Sequence, residues 1–126
     1  MLSAGSNITA LSSGEEAVIA AEMVIATGFQ LVVLDAGLPP LRGRVPDAAW
    51  VRLARAAEKH GAALLISAPY PLTGTASEAM LRVDASRGRW CGSLLAGVEV
   101  SLRLEKHRRK RPGECARVRF RVAEAT

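Results

Sequence analysis

Three rhythms of apolar and polar residues follow one another along the 126-residue chain. In the first, Ala17-Val18-Ile19-Ala20-Ala21 and Met23-Val24-Ile25-Ala26 predict a helix that is apolar almost all round, and such a helix is expected to be buried on more than one side. Ser13 is placed to cap its start. With Glu16 it fits a capping box, in which each residue satisfies an otherwise orphan backbone donor of the first turn. Gly28 is the expected stop, and a short strand is expected over 8–11.

The second rhythm is continuous. Leu31-Val32-Val33-Leu34, ending in Asp35, and Ala63-Leu64-Leu65-Ile66 are unbroken apolar runs, as in parallel strands covered by helices on both faces. Between them, after a Gly-, Pro- and Arg-containing loop over 36–45, Pro46 opens a second helix at a favourable first-turn position. Trp50, Leu53, Ala54 and Ala57 recur at the i, i+3, i+4, i+7 spacing of one apolar face, with Arg52, Arg55, Glu58 and Lys59 on the wet side. His60-Gly61 ends it. Strand, helix and strand in this order predict a right-handed parallel crossover.

The third rhythm is strict alternation. After a loop over 68–75 and one helical turn over 76–79, residues 80–84 read as a half-exposed strand, and Gly88 to Gly97 is expected to contain a turn around Trp90. Residues 98–105 and 116–122 then alternate apolar in and charged out around a basic turn closing on Pro112-Gly113, which predicts an antiparallel hairpin with one solvated face. The expected fold is α/β: one mixed sheet, parallel first and antiparallel at its end, with helices packed on it. Its core spans 12–122, with flexible ends at 1–6 and 123–126, in a single domain as the length implies.

No apolar run approaches the ~20 residues of a membrane span. The N-terminus has neither the basic nor the long apolar region of a secretory signal, so a cytoplasmic protein is expected. Cys91 and Cys115 show no CxxC spacing and no neighbouring His pair, so two reduced structural thiols are expected, with a bridge between them left geometrically open.

Charge changes the picture. The net charge is +5, but residues 81–122 carry twelve Arg or Lys against four acidic side chains, while the preceding residues are slightly acidic. Such asymmetry reads as a docking surface for nucleic acid or an acidic partner, or as the solvated side of a sheet. The densest run is Lys106-His107-Arg108-Arg109-Lys110-Arg111. Like charges so close repel, which favours an anionic partner over a purely soluble loop. No aromatic residue lies in the run to stack on bases, so any phosphate contact there is expected to be salt-sensitive and independent of sequence.

Asp35 stands where nucleotide-hydrolysing folds deliver a magnesium-holding carboxylate, and also where a simple turn residue would stand. A phosphate loop would need GxxxxGK[ST], and none is present; the lysines are Lys59, Lys106 and Lys110. His60 and His107 lack the neighbours of a hydrolytic triad.

These residues resemble a known group. Ser13-Gly14-Glu15-Glu16-Ala17, the helix ending at Thr27-Gly28, and Leu31 to Asp35 look like the second half of the RecA core, where a Gly-Glu helix leads into the Walker B strand. Leu104-Glu105-Lys106-His107-Arg108, with Pro112 and the strand behind it, resembles the RecA strand pair around its Lys-Asn-Lys motif. Within the RecA-like group the closer likeness is to the ImuA family of damage-induced mutagenesis. It is carried by Phe29 to Asp35, Ala49 to Glu58, Gly61 to Leu65 and Ala68-Pro69-Tyr70-Pro71-Leu72-Thr73-Gly74.

The resemblance implies a RecA-like core fragment that has lost ATP hydrolysis. The Walker A loop and catalytic glutamate precede the matched region, the Asn-Gln switch position reads Ser67-Ala68, and the two DNA-holding loops are shorter. Asp35 would be a Walker B relic, with no catalytic residue, metal or cofactor. Lys106 and Arg108 match two RecA lysines that reach a neighbouring subunit's ATP, and Lys106, Arg108, Arg109, Lys110 and Arg111 would form an electrostatic interface. The implied role is that of a non-catalytic accessory protein in the SOS response and error-prone translesion synthesis. It would contact RecA and an ImuB-like polymerase homologue, with DNA as a weaker contact and oligomers through a RecA-like interface. The alternatives are a fragment of an ATP-dependent recombinase or repair ATPase, and a SulA-like cell-division inhibitor.

Overall fold

A computed structural model describes residues 13–37 and 45–122, which fall into two compact units dividing after Ser77. The strand expected over 8–11, most of the loop over 36–45 and the ends at 1–6 and 123–126 lie outside the described residues.

The first unit begins with α1, Gly14–Ala26. Ser13 is its N-cap, and its hydroxyl accepts from the Glu16 amide at 3.1 Å. At the other end Thr27 Oγ1 donates to the Val24 carbonyl at 2.6 Å, and Gly28 follows with a φ of +95°, a conformation that glycine adopts without steric cost. Gly14, Ala17, Val18, Ala21 and Ile25 are buried, while Ile19 and Met23 are exposed. The helix therefore buries one side, not several. Its apolar composition runs nearly all round, but among the described residues its neighbours lie on that one side.

Those neighbours are a second helix and a two-stranded parallel sheet of β1, Leu31–Asp35, and β2, Ala63–Ser67, in the register Leu31↔Ala63 through Asp35↔Ser67. The second helix, α2, spans Asp47–His60 and packs Trp50, Leu53 and Ala57 into the same core as Val32, Leu34 and the α1 residues. Gly61, at φ +65°, closes it in the left-handed conformation, as the His60-Gly61 signal predicts. Arg52 on α2 donates twice to the Glu22 carboxylate on α1, a bidentate pair joining the helices on their exposed side.

Both helices share one core on one face of the sheet. The opposite face carries Leu31, Val33 and Leu65, the latter two 56% and 55% exposed. The expectation that helices cover both faces is thus corrected: among the described residues both helices lie on one face, and Val33 and Leu65 on the other are exposed. Beyond β2, Thr73 and Ala76 close a turn through the Ala76 amide and Thr73 carbonyl (3.1 Å), with Gly74 at φ +55°, where a helical turn was expected over 76–79.

The second unit is a three-stranded antiparallel sheet in the order β3-β4-β5, with β3 Ala79–Cys91, β4 Leu94–His107 and β5 Cys115–Arg121. Two corrections follow. The first concerns the turn, which lies within 88–97 as expected but is centred on Gly92-Ser93, between the paired Cys91 and Leu94, and leaves Trp90 in β3. Gly92, at φ +60°, occupies the first central position, where a type II′ turn requires glycine. The second concerns the sheet. Among the described residues β1 and β2 pair only with each other, so the parallel and antiparallel ladders form two sheets in place of the single mixed sheet expected.

No helix among the described residues is long and apolar enough to cross a membrane.

Candidate phosphate-binding surfaces

Asp35 is exposed at the end of β1, and its Oδ1 accepts from the Gly37 amide at 3.0 Å. The next amide, of Ala36, donates to the Ser67 carbonyl at 2.7 Å. In this arrangement the carboxylate closes the turn that leaves the sheet.

The basic run divides between two structures. Lys106 and His107 are the last residues of β4, opposite Met80 and Ala79, so only Arg108 to Arg111 of the expected basic turn lie in the loop, and all four are exposed. His107 shapes that loop. Its Nδ1 accepts from the amides of Arg109 (2.9 Å) and Lys110 (3.1 Å), which requires the ring to keep its Nδ1 lone pair free. The Arg108 amide donates to the Glu78 carbonyl, and Gly113, at φ +106°, donates to Leu104 to return the chain into β5.

A larger basic surface comes from the strand register. In an antiparallel sheet, residues directly opposite one another point to the same face, and every second residue repeats it. Arg89, Gly97 and Arg121 form one row across β3, β4 and β5, and Arg87, Glu99 and Arg119 form the next. Ala85, Ser101 and Arg117 follow, then Arg82, Arg103 and Cys115. A register shift between Val83 and Ala85 leaves Asp84 as an extra residue, and its carboxylate meets Arg103 at 2.8 Å and Arg82 at 3.6 Å. Arg82 also pairs with Glu105 at 3.1 Å. Glu99 takes Arg119 at 2.7 Å and Arg117 at 3.6 Å.

This face is layered. The side chains of Asp84, Glu99 and Glu105 are only 19–31% exposed, whereas those of Arg82, Arg103, Arg117 and Arg119 are 53–65% exposed. The carboxylates lie low on the sheet and the guanidinium groups project above them. The hydrogen bond from Arg119, helped by the charges of Arg119, Arg117 and Arg87, holds the Glu99 carboxyl below its usual range. On the other face of the same sheet, Leu81, Val83 and Phe120 are each 59% exposed, with Val98, Val100, Leu102 and Val118 partly buried between them.

Sequence reasoning found the loop and the charged face of the β4-β5 hairpin, and missed that β3 extends this face with Arg87 and Arg89. The signal was the shared parity of Arg87 and Arg89 with Arg117, Arg119 and Arg121. It stayed hidden because β3 was expected to end at Asp84, which left Arg87 and Arg89 outside any strand.

The thiols also depart from expectation. Cys91 and Cys115 are exposed rather than structural, and they sit at opposite ends of the sheet, opposite Leu94 and Arg103. The intervening part of β4 separates them by roughly 30 Å at ~3.4 Å per residue, far beyond disulfide reach. Compared with known proteins, the chain matches no protein-family model and none of the curated proteins.

Proposed function

We propose that the chain is a non-catalytic RecA-like accessory module of the ImuA type, acting in SOS-type damage response and error-prone translesion synthesis through contacts with RecA and an ImuB-like polymerase homologue. The family assignment rests on the sequence resemblance, from the Gly-Glu helix through the strand ending in Asp35 to the Lys106-His107-Arg108 strand end. The observation that carries the mode of action is that each sheet keeps an apolar side open, at Val33 and Leu65 in one and at Leu81, Val83 and Phe120 in the other. Open apolar surface of that kind marks sites of protein association. Asp35 supports the same reading, because its carboxylate is engaged by the Gly37 amide as a turn residue. The loop of Arg108, Arg109, Lys110 and Arg111, with Lys106 at its base, adds an electrostatic contact to a partner.

The test is direct binding of the purified chain to purified RecA and to the ImuB-like protein, with ATP turnover assayed alongside. Binding that is lost on Val33→Asp/Leu65→Asp, or on charge reversal at Arg108 to Arg111, supports the proposal. Measurable ATP hydrolysis by the protein would overturn it in favour of a working ATPase.

A further inference from the structure

We propose that the arginine face of the β3-β4-β5 sheet binds the sugar–phosphate backbone of nucleic acid, with the Arg89–Gly97–Arg121 row as its primary phosphate seat. This inference stands on the register of the sheet and does not depend on the RecA-like reading.

Seven arginines share the face, at 82, 87, 89, 103, 117, 119 and 121, and Lys106, opposite Met80, continues it at one end, against the three carboxylates Asp84, Glu99 and Glu105, an excess of five positive charges. A guanidinium offers a planar fork that grips phosphate through two parallel hydrogen bonds, so an arginine-rich surface suits phosphate better than a generic cationic one. The layering matters as much as the count: an approaching anion meets guanidinium groups first and carboxylates only beneath them.

The spacing favours a polymer of evenly repeated anions. Arg117, Arg119 and Arg121 recur along β5 at about 6.8 Å, twice the ~3.4 Å rise per residue, and Arg87 and Arg89 run parallel to them on β3. The two rails lie two strand spacings apart, about 9.6 Å. Long arginine side chains on both rails can converge on a phosphate between them. Arg119, Arg117, Arg82 and Arg103 are already committed to carboxylates on the sheet, whereas Arg87, Arg89 and Arg121 take part in no ion pair among the described residues, and only the Arg89–Gly97–Arg121 row has all its arginines outside such pairs. Between Arg89 and Arg121 stands Gly97, which is buried and where a Cβ would lie 2.4 Å from the Phe120 carbonyl oxygen, so no side chain rises between the two arginines.

An acidic protein would present carboxylates at irregular spacing and would gain less from two fixed rails. Trp90 and Phe120 do not share the rows of arginines, so the face has nothing to stack on bases, and binding is to the backbone, salt-sensitive and indifferent to sequence.

The experiment measures binding of the full chain to a labelled 30-nucleotide DNA, single-stranded and as a duplex, with polyglutamate as the acidic-protein probe. R89Q/R121Q is expected to weaken DNA binding tenfold or more, and substitution of Arg108 to Arg111 by glutamine less than threefold. E99Q removes a carboxylate from the face and is expected to strengthen binding two- to threefold, a gain that misfolding cannot imitate. For the duplex, log affinity against log salt should fall with a slope of about −3 to −4, at ~0.9 per neutralised phosphate. Unchanged binding by R89Q/R121Q, or weakened binding by E99Q, would overturn the proposal. So would polyglutamate binding as tightly as DNA, which would assign the face to an acidic protein. Binding to RecA, measured separately, reports on the proposed function alone.

Discussion

Glu99 sits at the centre of a sheet face otherwise dominated by arginine, and its carboxyl is held below the ordinary value of 4.5 mainly by the hydrogen bond from Arg119. A carboxyl depressed in the folded state contributes stability above its unfolded value, and that contribution is lost as pH falls through the folded one. The thermal midpoint of the protein should therefore drop as pH is lowered below 4.5, and Glu99→Gln should flatten that part of the profile in a pH-resolved melting series. At the loop, His107 has a different task. Its ring holds the amides of Arg109 and Lys110, so His107→Ala should speed hydrogen exchange at those two amides while leaving the core amides of α2 unchanged. The two exposed cysteines give a third expectation: both should react with a thiol reagent in the native protein without denaturant.

Among the elements, α2 shows how much the sequence reveals when pattern and caps agree. Pro46, the Trp50-Leu53-Ala57 spacing and Gly61 all point to one helix, and the structure has it over Asp47–His60. Leu53 is almost wholly enclosed, so Leu53→Ala should cost about 2–5 kcal/mol in urea unfolding. In α1, Met23→Ala should cost far less, because that side chain faces water. What the pattern left undecided was which apolar residues are covered. Composition alone cannot say that α1 and α2 lie on the same side of β1 and β2, since a run such as Leu31-Val32-Val33-Leu34 fits one covered face or two. The length of β3 was obscured by the bulge at Asp84, which breaks the period-two alternation that signals a strand. Gly92-Ser93, a glycine-led pair between two strand-like runs, carries the hairpin signal in the sequence itself. Gly97 carries the close contact of β4 with β5, and Gly97→Ala should destabilise the sheet by about 1–3 kcal/mol, because the added methyl must displace backbone.

For the whole molecule, charge and apolar surface divide the labour. The basic excess of residues 81–122 was readable as a turn and a charged hairpin face, but the alignment of Arg87 and Arg89 with Arg119 and Arg121 became visible only through strand register. The apolar sides left open on the two sheets make association the expected behaviour, and the arginine face supplies a second surface of different chemistry. In the proposed role these are separable: substitutions at Val33 and Leu65 should reduce partner binding and spare DNA binding, and R89Q/R121Q should do the reverse.

The low carboxylates beneath the arginines also tie grip to acidity. Acid that discharges Glu99 loosens the sheet by releasing Arg119, yet it frees that guanidinium and adds a positive charge to the surface a phosphate chain would meet. Hold on a polyanion should therefore tighten over the same acidic range in which the bare protein weakens, so that a bound strand shields the sheet most where the sheet alone is least secure.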